Sequence, residues 1–154
     1  MLNALTESRI AVADQLFVTL DPTCRRLRFP REGDVIITDT VGFIQELPAD
    51  LVTAFRATLE ELADADLLLH VVDAGDPKME RKIEAVWRLL ADLKMDGIPR
   101  LMVFNKSDLL EEPALRALTA RYECLAVSAL RRTGLEALVA AAEELIRQTE
   151  CSGS

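Results

Sequence analysis

The stretch Val35-Ile36-Ile37-Thr38-Asp39-Thr40-Val41-Gly42-Phe43 decides how this 154-residue chain folds. Its β-branched run, bounded by turn residues, predicts a buried strand of a parallel sheet. The strand delivers Asp39 to its carboxyl end, where open α/β sheets bind their ligands. We therefore expect a ligand site to form around Asp39.

The D-x-x-G motif at 39–42 has two interpretations. A carboxylate at Asp39 can hold hydrated Mg²⁺, because Mg²⁺ favours one or two carboxylates together with phosphate oxygens and water. Gly42 has no Cβ, so its backbone N–H can approach a phosphate closely. An ordinary Asp/Gly turn after a strand explains the same four residues, and the motif alone does not separate the two interpretations.

Three more apolar stretches predict buried strands, at Leu67–Asp73, at Leu101–Phe104 with Asn105 as its end, and at Leu125–Val127. Helical patterns lie between these strands. The alternation predicts an α/β fold with a three-layer, doubly wound, mostly parallel sheet. We expect a single domain over residues 1–150 and a frayed tail over residues 151–154.

Amphipathic stretches indicate where the helices lie. Their apolar faces run along 51–62, 83–93 and 135–146. Pro113 predicts the start of a short additional helix, and Thr133 with Glu136 predicts a capping box before the last one. Trp87, at helical spacing, is expected in the core. His70, the single histidine, is expected to be a packed strand residue and not a ligand or base.

The composition excludes several classes of function. A formal net charge of −8 argues against direct DNA or RNA binding, which needs clustered Lys and Arg against phosphates. The three cysteines, Cys24, Cys124 and Cys151, are far apart and predict neither a disulfide framework nor a zinc site. The chain opens without a signal peptide and has no apolar run of membrane-spanning length. We expect a soluble cytoplasmic protein that does not contact a membrane.

A second motif, Asn105-Lys106-Ser107-Asp108, suits guanine recognition. The Asp108 carboxylate can accept two hydrogen bonds, which matches the ring N–H and exocyclic amine of guanine and not adenine. Asn105 can donate to the base edge or tie neighbouring loops together, and the Lys106 stem can cover the ring face. Ser128-Ala129-Leu130, after the next strand, can supply a backbone N–H to the guanine O6.

The order of these motifs resembles that of the Ras-like, P-loop GTPases, and longer strings resemble the HflX family of ribosome-associated GTPases among them. The resemblance covers roughly residues 2–146. The strings that carry it are Leu16-Phe17-Val18-Thr19-Leu20-Asp21-Pro22-Thr23, Asp39-Thr40-Val41-Gly42-Phe43-Ile44, Leu47-Pro48 and Ala54-Phe55-Arg56-Ala57-Thr58-Leu59-Glu60-Glu61.

The resemblance implies roles for these residues. Phe17-Val18-Thr19-Leu20-Asp21 would be the first switch, with Thr19 as a Mg²⁺ ligand and Thr23 as the second choice for that role. Asp39 would be the other metal-binding residue, and Asp39-Thr40-Val41-Gly42 would sense the γ-phosphate. The implied activity is hydrolysis of GTP to GDP and phosphate with Mg²⁺. The implied partner is the large ribosomal subunit, which the family splits from stalled ribosomes through an additional amino-terminal domain.

Two departures from the Ras-type pattern qualify that expectation. Phe43 stands where Ras-type enzymes place a water-orienting Gln, so we assign no certain catalytic residue and expect slow hydrolysis until a partner arranges the water. The sequence also contains no G-x-x-x-x-G-K-S/T phosphate loop. The chain therefore resembles a G domain that lacks its first strand and phosphate loop, and we expect exposed strand edges, lowered stability and aggregation.

These departures leave other interpretations open. The chain can be a non-catalytic G-domain remnant that binds nucleotide weakly or not at all. A flavodoxin-like or receiver-like binding protein fits the alternation of strands and helices, but it leaves Asn105 to Asp108 and Ser128 to Leu130 unexplained.

Overall fold

The computed structural model describes residues 1, 4–5, 23–29, 33–39 and 61–152. Five strands and three α-helices with defined bounds lie in these ranges, and residues 4–5 are also helical. The strands are β1 Thr23–Phe29, β2 Gly33–Asp39, β3 Leu68–Asp73, β4 Arg100–Asn105 and β5 Leu125–Ala126. The helices are α1 Met79–Asp92, α2 Glu112–Tyr122 and α3 Leu135–Ser152, and 3₁₀ turns occupy Glu61–Asp64 and Ser107–Leu109.

Strands β3, β4 and β5 form a parallel sheet with β4 in the centre. The register places Leu68 beside Arg100 and Asp73 beside Asn105, so β3 and β4 end at the same level. Strand β5 joins further along, where Val103 lies beside Leu125. The predicted strands at 67–73 and 101–105 are confirmed to within one residue of their bounds.

Strands β1 and β2 form a separate two-stranded antiparallel sheet, with Thr23 opposite Asp39 and Phe29 opposite Gly33. Within the described ranges, β2 has no parallel neighbour and Ile36 is 75% exposed. The prediction of a buried parallel strand at 35–39 is therefore wrong for this part of the chain. Only three residues separate β1 from β2, and so short a connection favours antiparallel pairing, because parallel strands need a crossover of a dozen residues or more.

Alternate side chains of the parallel sheet pack on opposite faces, which gives the predicted three layers. On one face, Val72 and Phe104 pack with Ile83 of α1, and Leu118 and Tyr122 of α2 border them. The apolar residues of the other face are Val103, Val127 and Leu138 of α3, bordered by Met1, Leu5, Leu69, Leu101, Leu125 and Leu135. The α/β class and the three-layer arrangement are confirmed.

The observed bounds of the last helix differ from those predicted from the sequence. Helix α3 begins at Leu135, so the capping box predicted at Thr133 is wrong. The reason is tertiary: Thr133 and Ser128 exchange backbone hydrogen bonds of 3.0 and 3.1 Å, which leaves Thr133 outside the helix. At its other end α3 continues through Ser152, two residues beyond the domain boundary predicted at 150. Helix α2 begins at Glu112, with Pro113 in its first turn.

Gly134 makes the turn between Thr133 and α3 possible. Its φ is +75°, and a Cβ at this position would lie 2.5 Å from the carbonyl oxygen of Ala126. Both the positive φ and the close approach require a residue without a side chain. The glycine therefore sets the path of the loop that carries Ser128 to Thr133.

The sequence predicts that Trp87 lies in the core and that His70 is a packed strand residue. Trp87 is 43% exposed, so the prediction that it lies in the core is wrong; the buried stripe of α1 consists of Ile83, Val86 and Leu90, and Trp87 lies at its margin. His70 is half-buried in β3, as expected of a packed strand residue. None of the helices in the described ranges is long and apolar enough to cross a membrane.

Candidate functional site

The polar residues predicted to form a site lie at the carboxyl edge of the parallel sheet. Backbone hydrogen bonds hold the loops there in place after the strands themselves end. The Ala74 N–H donates to the carbonyl of Asn105 at 2.9 Å, and the Ser107 N–H donates to the carbonyl of Val127 at 3.0 Å. The edge is therefore a connected surface in which the segments after β3, β4 and β5 fix one another.

Lys106 turns the chain immediately after β4. Its φ of 63° and ψ of 34° lie in the left-handed region, which costs a residue with a side chain roughly 1–2 kcal/mol. The 3₁₀ turn follows, and the Leu109 N–H donates back to the Lys106 carbonyl at 3.0 Å. This reversal keeps Asp108 at the sheet edge.

Ser128 connects Asp108 to the loop after β5. Its side chain is fully buried, and its hydroxyl donates a hydrogen bond to Oδ1 of Asp108. The same Oγ accepts a hydrogen bond of 3.0 Å from the Arg131 N–H. Asp108 itself is exposed, so its carboxylate faces solvent while its Oδ1 binds the buried Ser128 hydroxyl.

Asn105 makes a second connection between the two loops. Its Oδ1 accepts a hydrogen bond of 3.0 Å from the Ala129 N–H. Of the two roles considered for Asn105, tying neighbouring loops together is confirmed for its carbonyl oxygen. The Ser128 N–H is also engaged, with the Thr133 carbonyl at 3.0 Å. Among the described residues, Leu130 is the member of 128–130 whose N–H has no partner, and its side chain is 84% exposed.

Asp73 belongs to this site, and sequence reasoning missed it. Its Oδ2 lies 2.6 Å from Nζ of Lys106, and its Oδ1 accepts a hydrogen bond of 2.9 Å from the Gly75 N–H. The signal that could have identified it is its position, because an acid that ends the strand beside Asn105 must lie at the same edge.

The structure describes the residues of the predicted guanine half of the site, and both halves stay predictions. It brings together Asn105, Lys106, Ser107, Asp108, Ser128, Ala129 and Leu130. The first-switch positions Phe17, Val18, Thr19, Leu20 and Asp21, together with Thr40, Val41, Gly42 and Phe43, lie outside the described residues. The described chain contains no cluster of three or more His, Cys, Asp or Glu residues arranged for a metal ion.

Of the two predicted Mg²⁺ ligands, Thr19 lies outside the described residues and Asp39 is described by its backbone. Asp39 is the last residue of β2, as predicted, and its register partner is Thr23, the second choice for the Mg²⁺ ligand.

Sequence comparison gives a consistent set of relatives. A model of the family described as "50S ribosome-binding GTPase" matches residues 1–106. GTPase HflX of Caldanaerobacter subterraneus is 48% identical over 151 residues, which is 97% of this chain and 34% of that protein. GTPase HflX of Escherichia coli is 51% identical over 112 residues, or 73% of this chain and 26% of that protein. The chain thus spans about a third or less of the length of these curated relatives.

Comparison of structures bears on the fold alone. A crystal structure of a variant of SsGBP superimposes with a TM-score of 0.78 and 24% identity, covering 99% of this chain and 52% of that one. A crystal structure of an Aquifex aeolicus Era variant bound to GDP and AlF₄⁻ gives a TM-score of 0.67 and 22% identity, covering 94% of this chain and 51% of that one. The Ras-like α/β fold expected from the motif order is confirmed.

Proposed function

Because this chain belongs to the HflX branch of the 50S ribosome-binding GTPases, we propose that it binds guanine nucleotides with Mg²⁺ and hydrolyses GTP to GDP and phosphate. We also propose that residues 1–150 act as one domain, that the partner is the large ribosomal subunit, and that the protein works in the cytoplasm.

The observation that carries the proposal is the pair of connections between the loops after β4 and β5. Asn105 Oδ1 binds the Ala129 N–H, and the Ser128 hydroxyl binds Asp108 Oδ1. Together they fix the Asp108 carboxylate relative to the backbone of 128–130 before a base arrives. A site held in this way does not have to be ordered by its ligand, which lowers the free energy that binding costs.

The ring N–H, the exocyclic amine and the O6 of guanine each have a proposed partner. The exposed Asp108 carboxylate accepts hydrogen bonds from the ring N–H and the exocyclic amine. The Leu130 N–H is the backbone donor that remains for the guanine O6, since the N–H groups of Ser128 and Ala129 are engaged within the protein. The Lys106 stem covers one face of the ring. Adenine, which lacks the paired donors, leaves acceptors of the site unsatisfied.

The metal half of the proposal depends on oxygen donors. Thr19 and Asp39 would hold Mg²⁺, which when bound neutralises charge on the phosphates. Thr40, Val41 and Gly42 would follow the γ-phosphate, with Phe17, Val18, Leu20 and Asp21 in the first switch. Phe43 cannot polarise water, so we expect slow hydrolysis in the absence of a partner.

The second candidate is a non-catalytic remnant of the G domain that binds nucleotide weakly or not at all. The 154 residues contain no G-x-x-x-x-G-K-S/T motif, the loop that normally supplies backbone N–H groups and a Lys to the phosphates. In this case any affinity would come from the guanine slot alone, which is formed by Asn105 to Asp108 and Ser128 to Leu130.

Equilibrium titration with labelled GTP, GDP and ATP, with and without Mg²⁺, tests both candidates. Micromolar binding that favours guanine and strengthens with Mg²⁺ is the expected result. Phosphate release from GTP then separates the enzyme from the non-catalytic binder. No saturation by any guanine nucleotide contradicts the first candidate and supports the non-catalytic remnant.

Asp108→Asn tests whether the Asp108 carboxylate recognises guanine. The amide presents a donor where guanine also donates, so preference should shift toward xanthine nucleotides. The exposed Asp96→Asn, in the turn after α1, is the matched control and should retain guanine preference. Unchanged guanine selectivity in Asp108→Asn contradicts the assignment.

A test of the ribosomal partner is cosedimentation with purified large subunits in the presence of GDP or a non-hydrolysable GTP analogue. Nucleotide-dependent cosedimentation is the expected result.

A further inference from the structure

We infer that Asp73 is a positioning residue for the guanine slot, which acts by holding Lys106 over the position of the base. The inference rests on the proposed function, because it concerns the same slot. It adds a residue that lies outside the four-residue motif Asn105 to Asp108.

Asp73 lies at the end of the strand next to β4. It is the last residue of β3, and the register places it directly beside Asn105, the last residue of β4. The next residue along, Ala74, donates its N–H to the Asn105 carbonyl at 2.9 Å. The end of β3 is therefore fixed relative to the end of β4 by backbone hydrogen bonds, and the Asp73 side chain starts from a defined place.

The Asp73 carboxylate is held at both oxygens. Oδ1 accepts the Gly75 N–H at 2.9 Å, which forms a local turn, and Oδ2 lies 2.6 Å from Nζ of Lys106. A carboxylate with one oxygen fixed by its own turn has little freedom to follow a moving lysine. The lysine is the partner that becomes ordered.

The backbone of Lys106 explains why its side chain needs an external partner. The residue is left-handed, with φ 63°, at the sharp turn between β4 and the 3₁₀ turn. A lysine stem is flexible and loses considerable rotamer freedom when it is held in one place. The contact with Asp73 ties the ammonium of Lys106 to the end of β3, which keeps the stem at the sheet edge where the base is proposed to bind.

The size of the effect follows from exposure. The side chains of Lys106 and Asp73 are 55% and 38% exposed, so solvent screens the pair and a large contribution is excluded. We expect the loss of the pair to accelerate nucleotide release by about two- to fivefold, in the range that exposed ion pairs support.

Asp76 offers a matched control three residues away. Its Oδ1 accepts the Lys78 N–H at 2.8 Å, and its Oδ2 pairs with Lys82, so its local geometry repeats that of Asp73. Its ion pair ties the start of α1 to the preceding loop and does not involve the Asn105 to Asp108 segment. Asp76→Asn removes an equivalent charge and ion pair without touching the slot.

The experiment measures dissociation of fluorescently labelled GDP from the whole chain by stopped flow. The variants are Asp73→Asn, Asp76→Asn, Lys106→Met and the double variant of 73 and 106. Asp73→Asn should release GDP about two- to fivefold faster, and Asp76→Asn at the unchanged rate. Lys106→Met keeps an apolar stem without the ammonium and should release GDP at least as fast as Asp73→Asn. The double variant should be no faster than Lys106→Met, because both changes remove the same contact.

The outcomes separate this inference from the proposed function. If the unaltered chain binds no guanine nucleotide, both are overturned. If it binds GDP and Asp73→Asn releases it at the unaltered rate, only the role of Asp73 is overturned. The same holds if Asp73→Asn and Lys106→Met act additively, or if Asp76→Asn has the same effect as Asp73→Asn, because the change would then reflect general charge or stability.

Discussion

The buried hydroxyl of Ser128 donates a hydrogen bond to Oδ1 of Asp108, twenty positions away in the sequence. This contact fixes the orientation of an exposed carboxylate from the interior of the protein. Ser128 also accepts the Arg131 N–H, so one hydroxyl orders both the loop after β4 and the loop after β5.

Ser128→Ala should weaken both the fold and the slot. It removes the acceptor for the Arg131 N–H and the donor to Asp108, and lost hydrogen bonds of this kind cost about 1–3 kcal/mol of unfolding free energy. Urea denaturation measures that loss, and competition between GTP and ATP measures the selectivity, which should fall. The control is Thr119→Ala, which removes a hydroxyl that donates to the Arg116 carbonyl at 3.1 Å within α2, outside the slot. Equal effects of the two substitutions contradict a specific role for Ser128.

Asn105 can be divided into its two functions by paired substitutions. Asn105→Ala removes the acceptor of the Ala129 N–H and should lower the unfolding free energy by about 1 kcal/mol while weakening nucleotide binding. Asn105→Asp keeps an acceptor oxygen and removes the amide donor. If the amide also donates to the base, Asn105→Asp should retain stability and lose affinity for GDP. If both stability and affinity are retained, the loop connection is the whole role of Asn105.

The parts of the fold that follow from local pattern could be predicted from the sequence. β3 and β4 are apolar runs that end in Asp73 and Asn105, and the alternation with helices then requires a layered sheet. The meeting of Asn105, Asp108 and Ser128 was predictable for the same reason, because parallel strands bring their carboxyl ends to one edge.

The parts that depend on tertiary partners could not be predicted in this way. The capping box at Thr133 satisfied every local rule, but its backbone pairs with Ser128 instead. Trp87 has helical spacing to Ile83 and Leu90, yet it falls at the margin of the buried stripe. In both cases the outcome depends on backbone pairing or packing that the local spacing does not specify.

Gly134→Ala should be strongly destabilising. The positive φ of 75° strains any side chain, and the new Cβ would lie 2.5 Å from the Ala126 carbonyl oxygen, a backbone atom that cannot move freely. We expect a loss of about 2 kcal/mol or more in unfolding free energy. Gly97→Ala is the control, since a Cβ there meets no atom within 4 Å, and it should be close to neutral. Thermal or urea unfolding of both variants checks the prediction, and comparable losses would contradict it.

Stability should fall as the pH drops from about 6.5 toward 4 because of His70. Burial of the imidazole in β3, followed by the nearby charge of Arg100, lowers the pKa of His70 from 6.5 to about 4. Its Nδ1 is buried and has no hydrogen-bond partner among the described residues, so the site does not compensate a positive charge. In this pH window the unfolded chain binds a proton that the folded chain does not, which favours unfolding.

The contribution of neutral His70 to the unfolding free energy is therefore fully present above pH 6.5, the pKa of histidine in the unfolded chain. It is lost progressively as the pH falls toward the folded-state pKa of about 4. A shift of this size corresponds to about 2–3 kcal/mol between pH 7.5 and 4.5. Urea denaturation of the unaltered chain and of His70→Gln across this range isolates the contribution, because the remaining titrating groups are common to both proteins. Between pH 7.5 and 4.5, the unaltered chain should lose about 2–3 kcal/mol more unfolding free energy than His70→Gln. Parallel pH profiles would show that His70 titrates alike in the folded and unfolded chains.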